Sequence, residues 1–182
     1  KVVNNFEPKT DNQKLFYNKI SDFNNQLILC HGIAGTGKTY VSIYKALQDV
    51  LRRGLPYDKL IIINPTVDVG NEDKLGYLPG ELQQKIQQYN ESTFTILNKI
   101  IGKSRANKMI SDGKIEIGVL NFLRGTNLEN CYVILDEAQN VSPMQIKTLM
   151  TRISENCKMI IQGDMSQCDK YKANGITAYE KS

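Results

Sequence analysis

Gly32-Ile33-Ala34-Gly35-Thr36-Gly37-Lys38-Thr39 fits the pattern G-x-x-x-x-G-K-[ST], a spacing suited to holding a triphosphate. Glycine lets the chain curl until successive backbone N–H groups point inward, and a helix opening at Lys38 adds the positive end of its dipole. Lys38 then supplies a point charge toward the β- and γ-phosphates of ATP, and the Thr39 hydroxyl is placed to coordinate a bridging Mg²⁺. The bland alternative is a glycine-rich strand-to-helix turn with a solvent-facing lysine.

Asp136-Glu137 follows the apolar run Val133-Ile134-Leu135. Carboxylates at the carboxyl end of a parallel strand face the ligand crevice. Asp136 is thereby assigned to the Mg²⁺ shell, through water, and Glu137 to orienting or deprotonating an attacking water. Capping of the next helix is the competing role for both. A third apolar run, Lys158 to Gln162, leads into Gly163-Asp164-Met165-Ser166-Gln167, where the Gln167 amide is a candidate sensor of the γ-phosphate. An Asp/Gly turn with an exposed glutamine is the plainer reading there.

These residues need a sheet to hold them. Short apolar runs alternate with longer helical patterns, the signature of βαβ units and a parallel sheet. Strands are predicted at Gln26–Cys30, Lys59–Asn64, Lys114–Leu120, Cys131–Leu135 and Cys157–Gln162. Helices are predicted at Asn12–Ser21, Lys38–Arg53, Pro79–Gln88, Ser92–Ile101 and Pro143–Ser154. Gly54 reads as a helix stop, and Ser142-Pro143 as a cap followed by proline at the first helical position. Residues 65–110 interrupt the rhythm as an insertion.

The 182 residues fit one α/β domain, since domains commonly run to about 100–200 residues. Apolar content of 41% and charged content of 23% describe an ordinary globular chain rather than a disordered one. The longest apolar runs, Leu60 to Ile63 and Tyr132 to Leu135, fall far short of the ~20 residues that span a bilayer, so no membrane segment is expected. Opening on Lys1 without an apolar leader, the sequence reads as a trimmed piece of a cytosolic protein. The net charge of +4 is only a weak pointer to phosphate-bearing partners. Cys30, Cys131, Cys157 and Cys168 show no CxxC spacing and are expected as reduced thiols. With His31 the single histidine, histidine-based zinc sites and Ser/His/Asp hydrolysis have little room.

Together these segments resemble the PhoH-like family, in the compact form encoded by bacteriophages. The resemblance is carried by Gly32 to Thr39, Leu75-Gly76-Tyr77-Leu78-Pro79-Gly80, Asn121-Phe122-Leu123-Arg124-Gly125, Val133 to Asn140, Thr151-Arg152-Ile153 and Gly163 to Gln167. It implies a RecA-like P-loop ATPase core related to superfamily-one helicases. It further implies a cytoplasmic protein, often a hexameric ring, that handles single-stranded RNA. By the same resemblance, Thr10-Asp11-Asn12-Gln13 matches the family's adenine-side segment and assigns Gln13 to the edges of adenine, a polar helix start being the alternative. Tyr40, directly after the glycine-rich motif, is grouped with the nucleotide-contacting residues. Arg124 and Arg152 match family arginines that stabilise transition-state charge, in cis or from a neighbouring subunit. The family usually continues past Asn174 to Tyr179 into a further strand and an arginine-bearing helix. Without those, nucleotide binding is expected to outlast efficient hydrolysis.

Two other functions stay open: an ATP-gated assembly module with little turnover, and a small-molecule kinase, against which the absence of an arginine-rich lid counts mildly. Lys99, Lys103, Arg105 and Lys108, with Tyr77 and Tyr89 as stacking surfaces, are the candidate RNA contacts. A solvated helix face and buried tyrosines are the alternative.

Overall fold

The five predicted apolar runs become five strands, each within one residue of its expected limits: β1 (Leu27–His31), β2 (Lys59–Asn64), β3 (Ile115–Val119), β4 (Cys131–Leu135) and β5 (Lys158–Gly163). The computed structural model describes residues 3–65, 80–119, 128–164 and 166, with the backbone alone for 80–89 and 119. The strands hydrogen-bond in the order β1-β5-β4-β2-β3, and every pairing is parallel. Parallel neighbours cannot be joined by tight turns, so helices carry the crossovers. α1 (Asp11–Ser21) precedes β1, α2 (Lys38–Val50) joins β1 to β2, α3 (Gly80–Ile101) and α4 (Lys103–Ser111) lie between β2 and β3, and α5 (Pro143–Met150) lies between β4 and β5. The molecule is thus an α/β fold with a parallel sheet flanked by helices.

Strand side chains alternate between faces, and the two faces feed separate cores. Leu60, Ile62, Tyr132, Ile134 and Ile160 pack with α1, α2, α3 and α4. Ile61, Ile63, Val133, Leu135, Met159 and Ile161 pack with α5. Both faces of β2, β4 and β5 are therefore buried, which is why these strands lack polar alternation. Among the described residues no helix is long and apolar enough to cross a membrane.

α1 begins one residue earlier than expected, at Asp11, and the other helices differ more. The helices predicted at Pro79–Gln88 and Ser92–Ile101 are one, α3, because Tyr89-Asn90-Glu91 between them contains neither glycine nor proline to stop it. Pro79 itself lies outside the described residues. The polar run after it holds an unpredicted helix, α4, set off from α3 by Gly102 at φ +83° and anchored by buried Ala106 and Met109. α2 ends at Val50, short of Gly54, because the Arg52 N–H bonds back to Asp49 and tightens the chain into a turn. α5 stops at Met150 because Leu128 draws the next residues into a bridge, its N–H bonding the Arg152 carbonyl and its carbonyl accepting from the Ser154 N–H. Its predicted start holds: Ser142 and Gln145 form a capping box, with Pro143 in the first turn.

Buried charges lock the helices to the sheet. Asp49, near the end of α2, accepts from Lys45 Nζ and from the Tyr132 hydroxyl of β4, each at 2.5 Å. Burial, then the hydrogen bond to Asp49, pushes the Tyr132 hydroxyl well above its usual titration range. Lys158, at the start of β5, donates to the carbonyls of Ile20 and Asp22 at 2.6 and 2.8 Å. A buried ammonium thereby satisfies orphan carbonyls at the end of α1, with burial pulling its pKa down. These contacts fix α1 and α2, whose opposite ends carry Gln13 and Lys38.

Candidate functional site

All five strands point their carboxyl ends to one side, and the glycine-rich turn lies there between β1 and α2. Its first residue is tied to the sheet: Gly32 N–H donates to the Gly163 carbonyl at the end of β5 (3.1 Å). Gly35 and Gly37 take φ of +78° and +84°, left-handed conformations natural to glycine. Gly37 caps α2 without a side chain, and the first turn of α2 carries no acidic residue. The opening N–H groups of the helix are accordingly left to an external acceptor. Lys38 Nζ folds back onto the turn, donating to the carbonyls of Gly32 (2.6 Å) and Ile33 (3.0 Å). It is half-buried and folded back rather than extended outward.

The Thr39 hydroxyl donates to Asp136 Oδ2 at 2.8 Å, joining residues 97 positions apart. Gln162 Nε2 completes a triangle, donating to Thr39 Oγ1 (3.0 Å) and to Asp136 Oδ1 (2.9 Å). Strand register explains the meeting. Leu135 pairs with Ile161, so Asp136 and Gln162 sit side by side one step on, facing the same side as Ile134 and Ile160, toward α2. Glu137 adopts a left-handed conformation at φ +50°, and its carboxylate accepts from the Gln139 amide. The Gln139 carbonyl oxygen in turn accepts from the Asp164 N–H (3.0 Å). Since Ser142 caps α5, neither Asp136 nor Glu137 serves as the side-chain cap of that helix.

Asp164 closes the circuit back to the turn, its Oδ2 accepting from the Ala34 N–H at 2.8 Å. Its other oxygen accepts from the hydroxyl and N–H of Ser166. The Ser166 hydroxyl holds the Asp164 carboxyl below its usual range against the opposing effect of burial, with the Ala34 and Ser166 N–H groups adding to the depression.

On the outer side, Thr10 caps α1, and Gln13 in its first turn reaches the glycine-rich turn: Nε2 donates to the Thr36 carbonyl (2.9 Å) while Oε1 accepts from the Lys9 N–H (2.8 Å). Between α1 and the turn lies a cavity of about 470 Å³ lined by Gln13, Phe16, Cys30, His31, Thr36 and Lys38 among others. Burial raises the Cys30 thiol to about 11 despite the opposing charge of Lys38. Tyr40 packs its ring on Phe6 with centroids 5.1 Å apart.

The remaining predicted residues fall elsewhere. Arg152 stands beside Leu128, just ahead of β4 and so at the amino-terminal end of the sheet. A five-residue strand, roughly 17 Å, separates it from the turn, so the structure does not bring Arg152 to the site of its own chain. Arg124 and Gln167 lie outside the described residues, as do Leu75 to Pro79, Asn121 to Gly125, Cys168 and Asn174 to Tyr179. Lys99, Lys103, Arg105 and Lys108 are exposed along the end of α3 and α4. Cys131 and Cys157 are buried free thiols, Sγ to Sγ 3.5 Å, and Cys30 is half-buried. Gln162, Gln139 and Asp164 joined the cluster without being singled out in the sequence. Gln139 and Asp164 did lie in the segments that carry the family resemblance, and for Gln162 the available signal was a glutamine inside the apolar run ahead of Gly163-Asp164.

Backbone donors, an ammonium, a hydroxyl and three carboxylates thus converge at the carboxyl ends of β1, β4 and β5. Among the described residues no group of three or more His, Cys, Asp or Glu side chains is arranged to enclose a metal. That composition suits a Mg²⁺ held by few protein oxygens and completed by phosphate and water.

A family model described as PhoH-like protein matches residues 5–182. A PhoH-like protein of Bacillus subtilis (strain 168) is 41% identical over 145 residues, covering 80% of this chain and 44% of the relative. One from Synechocystis sp. is 37% identical over 170 residues, covering 92% and 50% respectively. Protein PhoH of Escherichia coli (strain K12) is 37% identical over 146 residues, covering 79% and 40%. The chain therefore spans about half the length of the curated relatives it matches. With its matching sequence over nearly the whole chain, its parallel sheet and its glycine-rich turn at the strand ends, the chain belongs to the PhoH-like family, a family of P-loop NTPases.

Proposed function

We propose that this chain forms a single domain that binds and hydrolyses ATP with Mg²⁺ and couples hydrolysis to binding or remodelling single-stranded RNA in the cytoplasm. The observation that supports the hydrolytic part is the 2.8 Å contact between Thr39 Oγ1 and Asp136 Oδ2, with Glu137 the next residue in the chain. The turn from Gly32 to Thr39 takes the phosphates on its backbone N–H groups, and Lys38 exchanges its bonds to the Gly32 and Ile33 carbonyls for the β- and γ-phosphates. Thr39 and Asp136 would hold a Mg²⁺, which when bound would neutralise charge on the phosphate oxygens. The Thr39 hydroxyl donates its hydrogen bond to Asp136 and accepts one from Gln162, which leaves a lone pair for a cation. Glu137, oriented by Gln139, takes the proton of the water that attacks the γ-phosphorus, releasing ADP and phosphate. Gln167 follows the γ-phosphate, and Gln13 and Tyr40 belong to the nucleotide pocket, Gln13 on the adenine side.

Arg124 and Arg152 act on transition-state charge. Arg152, at the far end of the sheet in its own chain, acts from a neighbouring copy in a hexameric ring. RNA binding is supported by the exposed row Lys99, Lys103, Arg105 and Lys108, and affinity for RNA accordingly falls steeply with added salt. A second reading, an ATP-gated assembly module with little turnover, is favoured by Lys38 being held back on its own loop.

Phosphate release measured with RNA, single-stranded DNA and no polymer, alongside subunit number, decides between them. Turnover stimulated by RNA supports coupling, whereas nucleotide-dependent assembly without turnover supports the gate. Lys38→Ala and Glu137→Gln each abolish release, and the glutamine variant still binds ATP. Unchanged turnover in Glu137→Gln defeats the assignment of the base.

A further inference from the structure

We propose that Gln162 is a positioning residue of the cation–nucleotide site: its amide nitrogen sets Thr39 and Asp136 as a pair, and its carbonyl oxygen receives a water bound to the Mg²⁺. The inference rests on the nucleotide reading above and extends it to a residue with no assigned role.

Gln162 is fully buried in β5, a strand whose neighbouring residues Met159, Ile160 and Ile161 all belong to the core. A primary amide in that setting must have its polar atoms satisfied. Its two N–H protons are both used, one on Thr39 Oγ1 and one on Asp136 Oδ1. The opposite orientation of the amide would set its oxygen against the Asp136 carboxylate, which has no proton to offer, so the network fixes which end is nitrogen. Asp136 Oδ1 also accepts from the Glu137 N–H at 3.0 Å, and Oδ2 takes the Thr39 proton. Neither oxygen of the metal-holding pair can turn without breaking a bond to Gln162 or to its partner.

The other half of the amide is unmet: among the described residues, Gln162 Oε1 is buried with no hydrogen-bond partner. A buried carbonyl oxygen needs a donor. The ionised phosphates of a nucleotide offer only acceptors, and Thr39 and Asp136 have no proton left over. Water on the cation is a donor made more acidic by its metal, and it arrives only when the site is loaded. Gln162 therefore works through Thr39, Asp136 and that water, without touching phosphate.

Binding of a fluorescent ATP analogue, titrated with Mg²⁺ and repeated in EDTA, tests this on the wild type and Gln162→Met, which keeps volume and removes both polar groups. Loss of an outer-shell partner of this kind costs about 10–100-fold in metal affinity, so the Mg²⁺ concentration for half-maximal enhancement rises by about that factor while affinity in EDTA stays the same. Gln162→Asn, which retains the amide but withdraws it by one methylene, carries the same expectation should the methionine variant fail to fold. Unchanged Mg²⁺ dependence overturns the proposal, as does an equal loss of affinity with and without Mg²⁺, which marks a packing role. A wild-type chain that binds no nucleotide under either condition overturns the underlying reading instead, and this proposal with it.

Discussion

Gly35 and Gly37 share nearly the same backbone conformation, φ +78° and +84°, yet alanine at the two positions is expected to act differently. Placing a Cβ on a left-handed residue costs about 1–2 kcal/mol at either site. At Gly35 nothing lies within 4 Å of the added carbon, whereas at Gly37 it comes 3.1 Å from Gln13 Nε2. To relieve that contact the amide moves by a few tenths of an ångström and weakens its hydrogen bond to the Thr36 carbonyl, whose complete loss costs about 0.5–1.5 kcal/mol. Gly35→Ala therefore costs about 1–2 kcal/mol, and Gly37→Ala more than that, up to about 3.5 kcal/mol if the hydrogen bond is lost entirely. The strain divides between two observables. A turn that keeps its shape loses the energy in folding stability. One that relaxes until nucleotide restores it loses the energy in affinity, where 1–2 kcal/mol is about 5–30-fold. Urea denaturation and titration with a fluorescent ATP analogue must therefore be summed for each variant. In a Gln13→Ala background the crowding is gone, and Gly37→Ala should cost no more than Gly35→Ala. Equal losses for the two alanines with Gln13 present, or an excess at Gly37 that persists without it, refute the reasoning.

Tyr132→Phe leaves Asp49 short of a partner in the core and lowers stability by about 1.5–3 kcal/mol in urea denaturation. Lys45→Met strands the same carboxylate and costs about 3–5 kcal/mol, most of which Lys45→Met with Asp49→Leu recovers. Cys30, raised from an ordinary 9.0 to about 11, favours the folded state fully below pH 9.0, a contribution that disappears as pH climbs through about 11. Its alkylation by iodoacetamide is accordingly slow at pH 8, and bound ATP slows it further by offsetting the charge of Lys38. Asp164, held below its ordinary 3.8, contributes fully above that value and loses the contribution as pH falls through its lower folded one. The Ala34 amide resonance, followed by NMR, should therefore show its acid inflection below pH 3.8.

The strands were legible because burial on both faces demands unbroken apolar runs, and the glycine-rich turn because its letters and its strand-to-helix setting have one shared physical purpose. Local letters failed where the deciding contact was distant. Nothing near Gln162 announces Thr39, 123 residues away, and a glutamine among isoleucines reads as a flaw in a strand until register sets it beside Asp136. Asp49 and Lys158 look like solvated helix and strand ends, but each is buried against a partner contributed by another element. α4 was hidden because its buried face consists of little more than Ala106 and Met109. Arg152 matched a motif, but only the Leu128 bridge revealed which end of the sheet it occupies.

α2 and β4 are riveted at both ends, by Thr39 to Asp136 and by Asp49 to Tyr132. Ten helical residues rise about 15 Å, and the four strand steps between Tyr132 and Asp136 cover about 13 Å. The two antiparallel rulers agree, so both rivets close without strain. Inserting or deleting one residue between Thr39 and Asp49 swings one rivet about 100° around the helix and out of reach. Substitution along this stretch can change chemistry, but its residue count is fixed by the sheet it spans.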